Sequence, residues 1–233
     1  MKSSTRRTIA LLLLVTYLLR VSACTAGPTV TAHPTPAPVS GEMALPPPSL
    51  MGEKSVEEVI ANRRSVREFA DQALSWSDIS QLLWSAQGMT DPGGLRTAPS
   101  AGALYPLEIY VALPDGAYHY LPHGHAVESV SMSDLRGDLW QAGLRQDALR
   151  QAFAIFVIAA VYERTEAKYG ERAERYVHLE AGHAAQNLLL QAVGLQLGAV
   201  PIGAFSDDQV QDVLGLPADH RPLYLIPVGH PRG

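Results

Sequence analysis

The run FAIFVIAAVY, Phe153–Tyr162, carries no charge and no strong turn former. It is too short for a bilayer span, and its β-branched and aromatic content favours extended backbone. A continuous apolar run of this kind suggests a strand buried on both faces, in a central position. The next long segment can provide part of that cover. ERAERYVHLEAGHAAQNLLLQAVGLQLG forms a helix of about 25 residues, apolar over much of its circumference, to be buried within a subunit or between two.

Upstream, SVEEVIANRRS has a Ser cap and an amphipathic face, and SWSDISQLLWSAQG aligns Ile79, Leu82, Leu83 and Ala86 before Gly88 stops it. LEIYVALP and AYHYLP, separated by Asp-Gly, read as a hairpin, with HAVESVSM as a third strand. SDLRGDLWQAGL and SDDQVQDVLG add helices, and AVPIGAF and PLYLIPVGHP read as closing strands. The expected fold is α+β: a central, mainly antiparallel or mixed sheet flanked by helices, one of them long and central.

The first residues are read as a targeting signal. Lys2, Arg6 and Arg7 precede the short apolar run Ile9–Leu19, and VSAC places small residues before the chain's single cysteine, Cys24. This resembles a bacterial lipoprotein signal, which implies cleavage after residue 23, lipidation of Cys24 and anchorage of an exported domain in the cell envelope membrane. An ordinary secretory signal and a retained anchor are the alternatives. Residues 24–50, rich in Pro and poor in charge, read as a tether, and residues 51–233 as one folded domain. With Cys24 committed to lipid, disulfides and cysteine chemistry are excluded from the mature domain.

A formal charge of −5 argues against sequence-independent binding of nucleic acid, which needs a basic face. The chain lacks the glycine-rich dinucleotide and P-loop patterns, the nucleophile elbow and the zincin motif. His178 and His183 are five residues apart, about 140° around a helix, and cannot share a metal ion. Glu180, His183 and Asn187 do share one stripe, expected to be satisfied by a neighbouring helix or subunit.

Two segments carry chemistry. NRRSVRE groups Arg63, Arg64 and Arg67 around Ser65, a donor set suited to a phosphate monoester and equally compatible with a solvated helix end. RTAPSAGALYP, Arg96–Pro106, is small, kinked and aromatic, so something can lie close to its backbone. Together with GHAAQNLLLQA, PIGAF and PVGHPR, these segments resemble, in order and spacing, the nitroreductase superfamily of FMN proteins. The likeness spans Ser55–Arg232 and is greatest to the SagB/ThcOx-type dehydrogenases, whose peptide-modifying members oxidise azolines to azoles.

The resemblance implies that Arg63 and Ser65 bind the FMN phosphate, Arg64 the phosphate or ribityl chain, and Arg67 the N1/C2-carbonyl edge. Pro99, Ser100, Ala101 and Gly102 would lie against the flavin, with Tyr105 as an aromatic wall. Gly203 or Ile202 would present a backbone N–H to N5, and Gly229, His230 and Arg232 would return to the phosphate. Lys168 and Tyr169 match a pair implicated in proton removal; burial would lower the ammonium pKa enough to make a base, and a charged helix start is the plainer reading. A homodimer with two FMN sites built from both chains is also implied. Three activities stay open: dehydrogenation of a small-molecule or peptide substrate, NAD(P)H-dependent reduction of nitro compounds or quinones, and a non-catalytic flavin-binding or interaction role.

Overall fold

Strand β5 (Ala154–Val161) has all eight residues buried, and its two sets of alternate side chains enter two different cores. In the computed structural model, which describes residues 41–233, Phe156, Ile158 and Ala160 point into one core and Ile155, Val157 and Ala159 into the other. The period-2 geometry of a strand requires that division.

The elements in chain order are β1 (Glu42–Ala44), α1 (Val56–Asn62), α2 (Trp76–Gln87), β2 (Leu107–Leu113), β3 (Gly116–Leu121), β4 (Ala126–Ser131), α3 (Arg136–Ala142), α4 (Asp147–Gln151) and β5. After it come α5 (Glu163–Tyr169), α6 (Ala173–Gly194), β6 (Gly198–Ala199), α7 (Asp207–Leu214) and β7 (His220–Gly229). The strands form a seven-stranded sheet in the order β1-β4-β3-β2-β5-β7-β6, and every neighbouring pair is antiparallel. Helices α2 and α6 cover one face through Leu82, Leu83, Ala184 and Leu188. Helices α3, α4 and α7 cover the other through Leu139, Leu149, Val210 and Leu214.

Ser55 caps α1 and Ser75 opens α2 with a reciprocal Ser75–Asp78 capping box. The long α6 has one buried stripe, Val177, Ala181, Ala184, Leu188 and Ala192 among its residues, while Arg175, His178, Leu179, His183 and Gln186 are exposed. Its alanines let it lie close to α2, and burial is one-sided instead of all-round. AVPIGAF contributes only β6 and an isolated bridge between Ile202 and Leu225, because Pro201 has no N–H for a continuing ladder.

The expected tether is already folded from Glu42 on. β1 pairs with β4, Leu45 is buried, Ser80 Oγ donates to the Pro46 carbonyl at 2.5 Å, and Ser49 N–H donates to Gln81 Oε1 at 2.8 Å. Leu45 supplies the buried apolar side chain that the surrounding prolines obscure, while Met43 and Ala44 are exposed and join the sheet through β1. The expected signal segment 1–23, Cys24 and the rest of the expected tether lie outside the described residues.

On the sheet, His119 bridges two carboxylates, Nε2 to Glu108 at 2.7 Å and Nδ1 to Glu128 at 2.8 Å, and stacks on Tyr110 at 4.5 Å. Burial disfavours the imidazolium, but the hydrogen bonds and charges of Glu108 and Glu128 outweigh it and raise the His119 pKa above 6.5. A raised histidine pKa stabilises fully below the unfolded value and is lost as pH climbs through the folded one. His119→Ala therefore costs about 2 kcal/mol at pH 6 and visibly less at pH 9 in urea melts; an equal loss at both would show that the imidazole is neutral.

Candidate active site

The arginine segment is held by the far end of the sheet. Val66 N–H donates to the Ala199 carbonyl at 3.0 Å, Ala70 N–H to His230 at 2.8 Å, and Arg232 N–H returns to Glu68 at 3.0 Å. Two glycines permit this closeness. A Cβ on Gly198 would stand 2.6 Å from Val66 Cγ1, and one on Gly229 would stand 3.1 Å from the Phe69 ring.

Beside this seam lies a cleft of about 660 Å³ lined by Arg67, Gln146, Gln151, Ile202, Gly203 and Arg232, with neighbours; its size is that of a small-ligand site. Arg232 Nη2 donates to the Phe69 carbonyl at 3.2 Å. Among the described residues no carboxylate pairs with Arg67 or Arg232, although Glu68 and Asp147 line the same cleft and Asp147 is engaged by Arg150 at 3.2 Å. Gln146 Nε2 ties the rim together by donating to the carbonyls of Gly143 and Ala204. It follows Leu144 and Arg145, both at φ 57°, a strained turn.

The structure redistributes several expected roles. The Ile202 N–H is spent on the Leu225 carbonyl at 2.8 Å, so Gly203, exposed at the cleft, is the backbone donor that remains. The Arg64 guanidinium turns back to the carbonyls of Ala61 and Arg63, where it caps α1. Arg63 is the half-buried C-cap of that helix, and Ser65 is exposed and bridged to Ala199. Gly229 and His230 act through backbone, the first beneath Phe69 and the second as acceptor for Ala70. Gln146, the N-cap of α4, and Gln151, its last residue, carry no sequence signal, since glutamines at helix ends are unremarkable.

A second cluster surrounds the Ser100 loop, and none of Pro99, Ser100, Ala101 or Gly102 lines the cleft just described. Residues Ala101–Ala103 make one 3₁₀ turn, and Gly102, Ala103 and Tyr105 have φ of 64°, 54° and 48°. Ser100 Oγ accepts from Tyr105 N–H at 2.9 Å, and Arg164 Nη1 donates to the Tyr105 carbonyl at 3.1 Å. Tyr105 is not a free wall: the Arg96 guanidinium covers its ring at 4.5 Å, and its Oη accepts from Arg96 N–H.

Lys168 and Tyr169, at the end of α5, reach this turn. A Cβ on Gly102 would stand 2.7 Å from Lys168 Nζ and 2.8 Å from Tyr169 Oη. Tyr169 is braced edge-on by Tyr176 at 5.0 Å. Sequence-distant segments thus converge on one exposed glycine. Gly102→Ala would drive a methyl into both polar heads and strain a positive φ, at a cost of about 1–2 kcal/mol in a thermal melt.

Beneath the loop the stripe on α6 is only partly satisfied. Asn187 Nδ2 donates to the Thr97 carbonyl at 3.2 Å and His183 is exposed, but Glu180 is 3% exposed and its Oε1 has no partner. His178 is occupied elsewhere, at 2.6 Å from Tyr162 Oη.

The residue pattern of the Nitroreductase family matches residues 60–230. The chain belongs to that family. Its nitroreductase fold is shared with a crystal structure of a nitroreductase from Ralstonia eutropha, 30% identical, with a TM-score of 0.75 over 89% of this chain and 98% of that one. A nitroreductase-type protein of Methanocaldococcus jannaschii is 43% identical over 183 residues, 76% of this chain and 91% of that protein. The microcin B17-processing protein McbC of Escherichia coli is 29% identical over 156 residues, 61% and 57% of the two chains. The FMN reductase (NADPH) of Bacillus subtilis is 26% identical over 188 residues, 75% and 65%. As a nitroreductase-family protein the chain is an oxidoreductase.

Proposed function

We propose that this nitroreductase-family chain is an FMN-dependent dehydrogenase of the SagB type, acting on a small-molecule or peptide substrate. The observation that carries this reading is the meeting of Lys168 Nζ and Tyr169 Oη at Gly102, inside the loop expected to face the flavin. The likeness to McbC, named as a microcin B17-processing protein, supports it.

The donor set fits FMN. Arg67 and Arg232 offer two guanidinium groups outside any ion pair among the described residues, and Gly203 lines the same cleft. When bound, FMN supplies hydride acceptance at N5, and the chain's part is to orient it and take up the proton that the substrate loses. Tyr169, braced by Tyr176, positions Lys168 for that proton. Lys168 is exposed in one chain, so its desolvation has to come from substrate or from a second copy. The two candidate clusters are separate within one chain, which supports a homodimer in which one chain's cleft meets the partner's loop.

The second reading, NAD(P)H-dependent nitro or quinone reduction, is favoured by the Bacillus subtilis relative. Anaerobic mixing of the FMN-loaded protein with NADPH separates the two. We expect the flavin absorbance to persist for minutes; bleaching within seconds would assign the reductase. We also propose export and lipid anchorage through Cys24, and mass analysis of the mature N-terminus decides it: a diacylated Cys24 is expected, and an intact chain beginning at Met1 overturns it.

A further inference from the structure

The loop from Arg96 to Tyr105 lies over one buried acid on α6, Glu180, which has Ser100, Arg96 and Gln87 as its polar neighbours. Glu180 sits beneath Ser100, whose Oγ accepts from Tyr105 N–H at 2.9 Å and so leaves its own hydrogen free to turn toward the carboxylate. Arg96 Nη1 donates at 3.0 Å to Oε1 of Gln87, fully buried on α2, and the same guanidinium covers Tyr105 at 4.5 Å. Gln87 Nε2 is buried without a partner, as is Glu180 Oε1. A free donor and a free acceptor therefore sit side by side under a strained turn.

An ionised carboxylate can accept from both the Ser100 hydroxyl and the Gln87 amide while attracting Arg96. A neutral carboxyl loses the attraction and one acceptor site. Burial pushes the Glu180 pKa up to about 7, against the Ser100 hydroxyl, the Arg96 charge and the Gln87 amide. Arg96 is the charge that faces it from the loop, itself flanked by Glu108, Tyr105 and Arg164. On α6 the neighbours one turn away are Tyr176, half-buried, and His183, exposed.

A buried acid with an open lone pair is a poor choice for stability alone, since glutamine has the same shape without the charge. We propose that Glu180 is a positioning residue whose carboxylate, through Ser100, Gln87 and Arg96, fixes the turn at Ala101–Ala103 and thereby the affinity for cofactor. The proposal rests on the reading of this loop as part of the FMN site.

The test is fluorescence titration of the apoprotein with FMN from pH 6 to 8.5, for the unaltered chain and for Glu180→Gln, alongside amide exchange of the Arg96–Tyr105 loop without FMN. Affinity of the unaltered chain should tighten about tenfold between pH 6 and 8 beyond any change in the variant. Ionisation of the FMN phosphate is common to both and cancels in the ratio. Loop exchange should slow over the same interval only when the carboxylate is present. FMN binding and loop exchange with identical pH profiles in both proteins overturn the positioning role and leave the flavin reading intact. A carboxylate-dependent change in loop exchange with no FMN uptake by either protein overturns the flavin reading and supports the positioning role.

Discussion

Replacing Arg67 and Arg232 together by alanine should weaken FMN binding by about 10²–10⁴-fold. Each guanidinium supplies charge-assisted hydrogen bonds worth about 1.5–3 kcal/mol, and about 1.4 kcal/mol is a factor of ten in affinity. Both line one cleft and neither is in an ion pair among the described residues, so no salt bridge within the fold is lost with them, and the nearby Glu68 and Asp147 keep the expected loss within that range. The far-ultraviolet dichroism should persist, because Arg67 is exposed and Arg232 contributes one side-chain bond, to the Phe69 carbonyl. Arg64→Ala is the internal comparison. Its guanidinium caps α1, so it should lower the melting temperature slightly and leave FMN affinity within a factor of about three. A larger effect of Arg64 than of the pair would reverse the assignment of the cleft.

Lys168→Met should slow substrate oxidation by about 10²–10⁴-fold, the range of a lost proton acceptor, while FMN content stays stoichiometric. Methionine keeps most of the aliphatic stem, so packing against Gly102 and the Tyr169 ring, 5.4 Å from Nζ, changes little. Tyr169→Phe should give a smaller loss, since the ring that meets Tyr176 at 5.0 Å is retained and only the hydroxyl leaves. Single-turnover kinetics with a competent substrate distinguish this from a binding defect: the rate of flavin reduction falls and the half-saturating concentration does not. Unchanged reduction rates in both variants would remove the pair from the chemistry.

Much of the fold is legible because it rests on periodicity. The apolar run at Phe153 needs two covers, and the alternation of Ile155, Phe156, Val157 and Ile158 between two cores supplies them. The helix cap at Ser55 is local chemistry and stands where the sequence places it. The start of the domain is obscured, because Pro-rich composition hides that Met43, Ala44 and Leu45 can complete a sheet edge. The one-sidedness of α6 is also hidden, because alanine and glycine serve equally on a buried or an open face.

At the site, the short motifs identify segments but not the direction of side chains. Arg64 and Arg67 belong to one motif, yet the helix end captures the first and the cleft the second. Ile202 and Gly203 are adjacent, and only the bond to Leu225 separates a ladder residue from an open donor. Glu180 is visible in the sequence as part of a polar stripe. Its burial under Ser100 is not, since that depends on a loop reaching back from elsewhere in the chain.

The most direct measurement is the absorption spectrum of the purified protein before and after titration with FMN. The account predicts the visible bands of protein-bound flavin, saturating at one FMN per chain and lost in the Arg67 and Arg232 double variant. A colourless protein that takes up no FMN, with its helical dichroism intact, would contradict it.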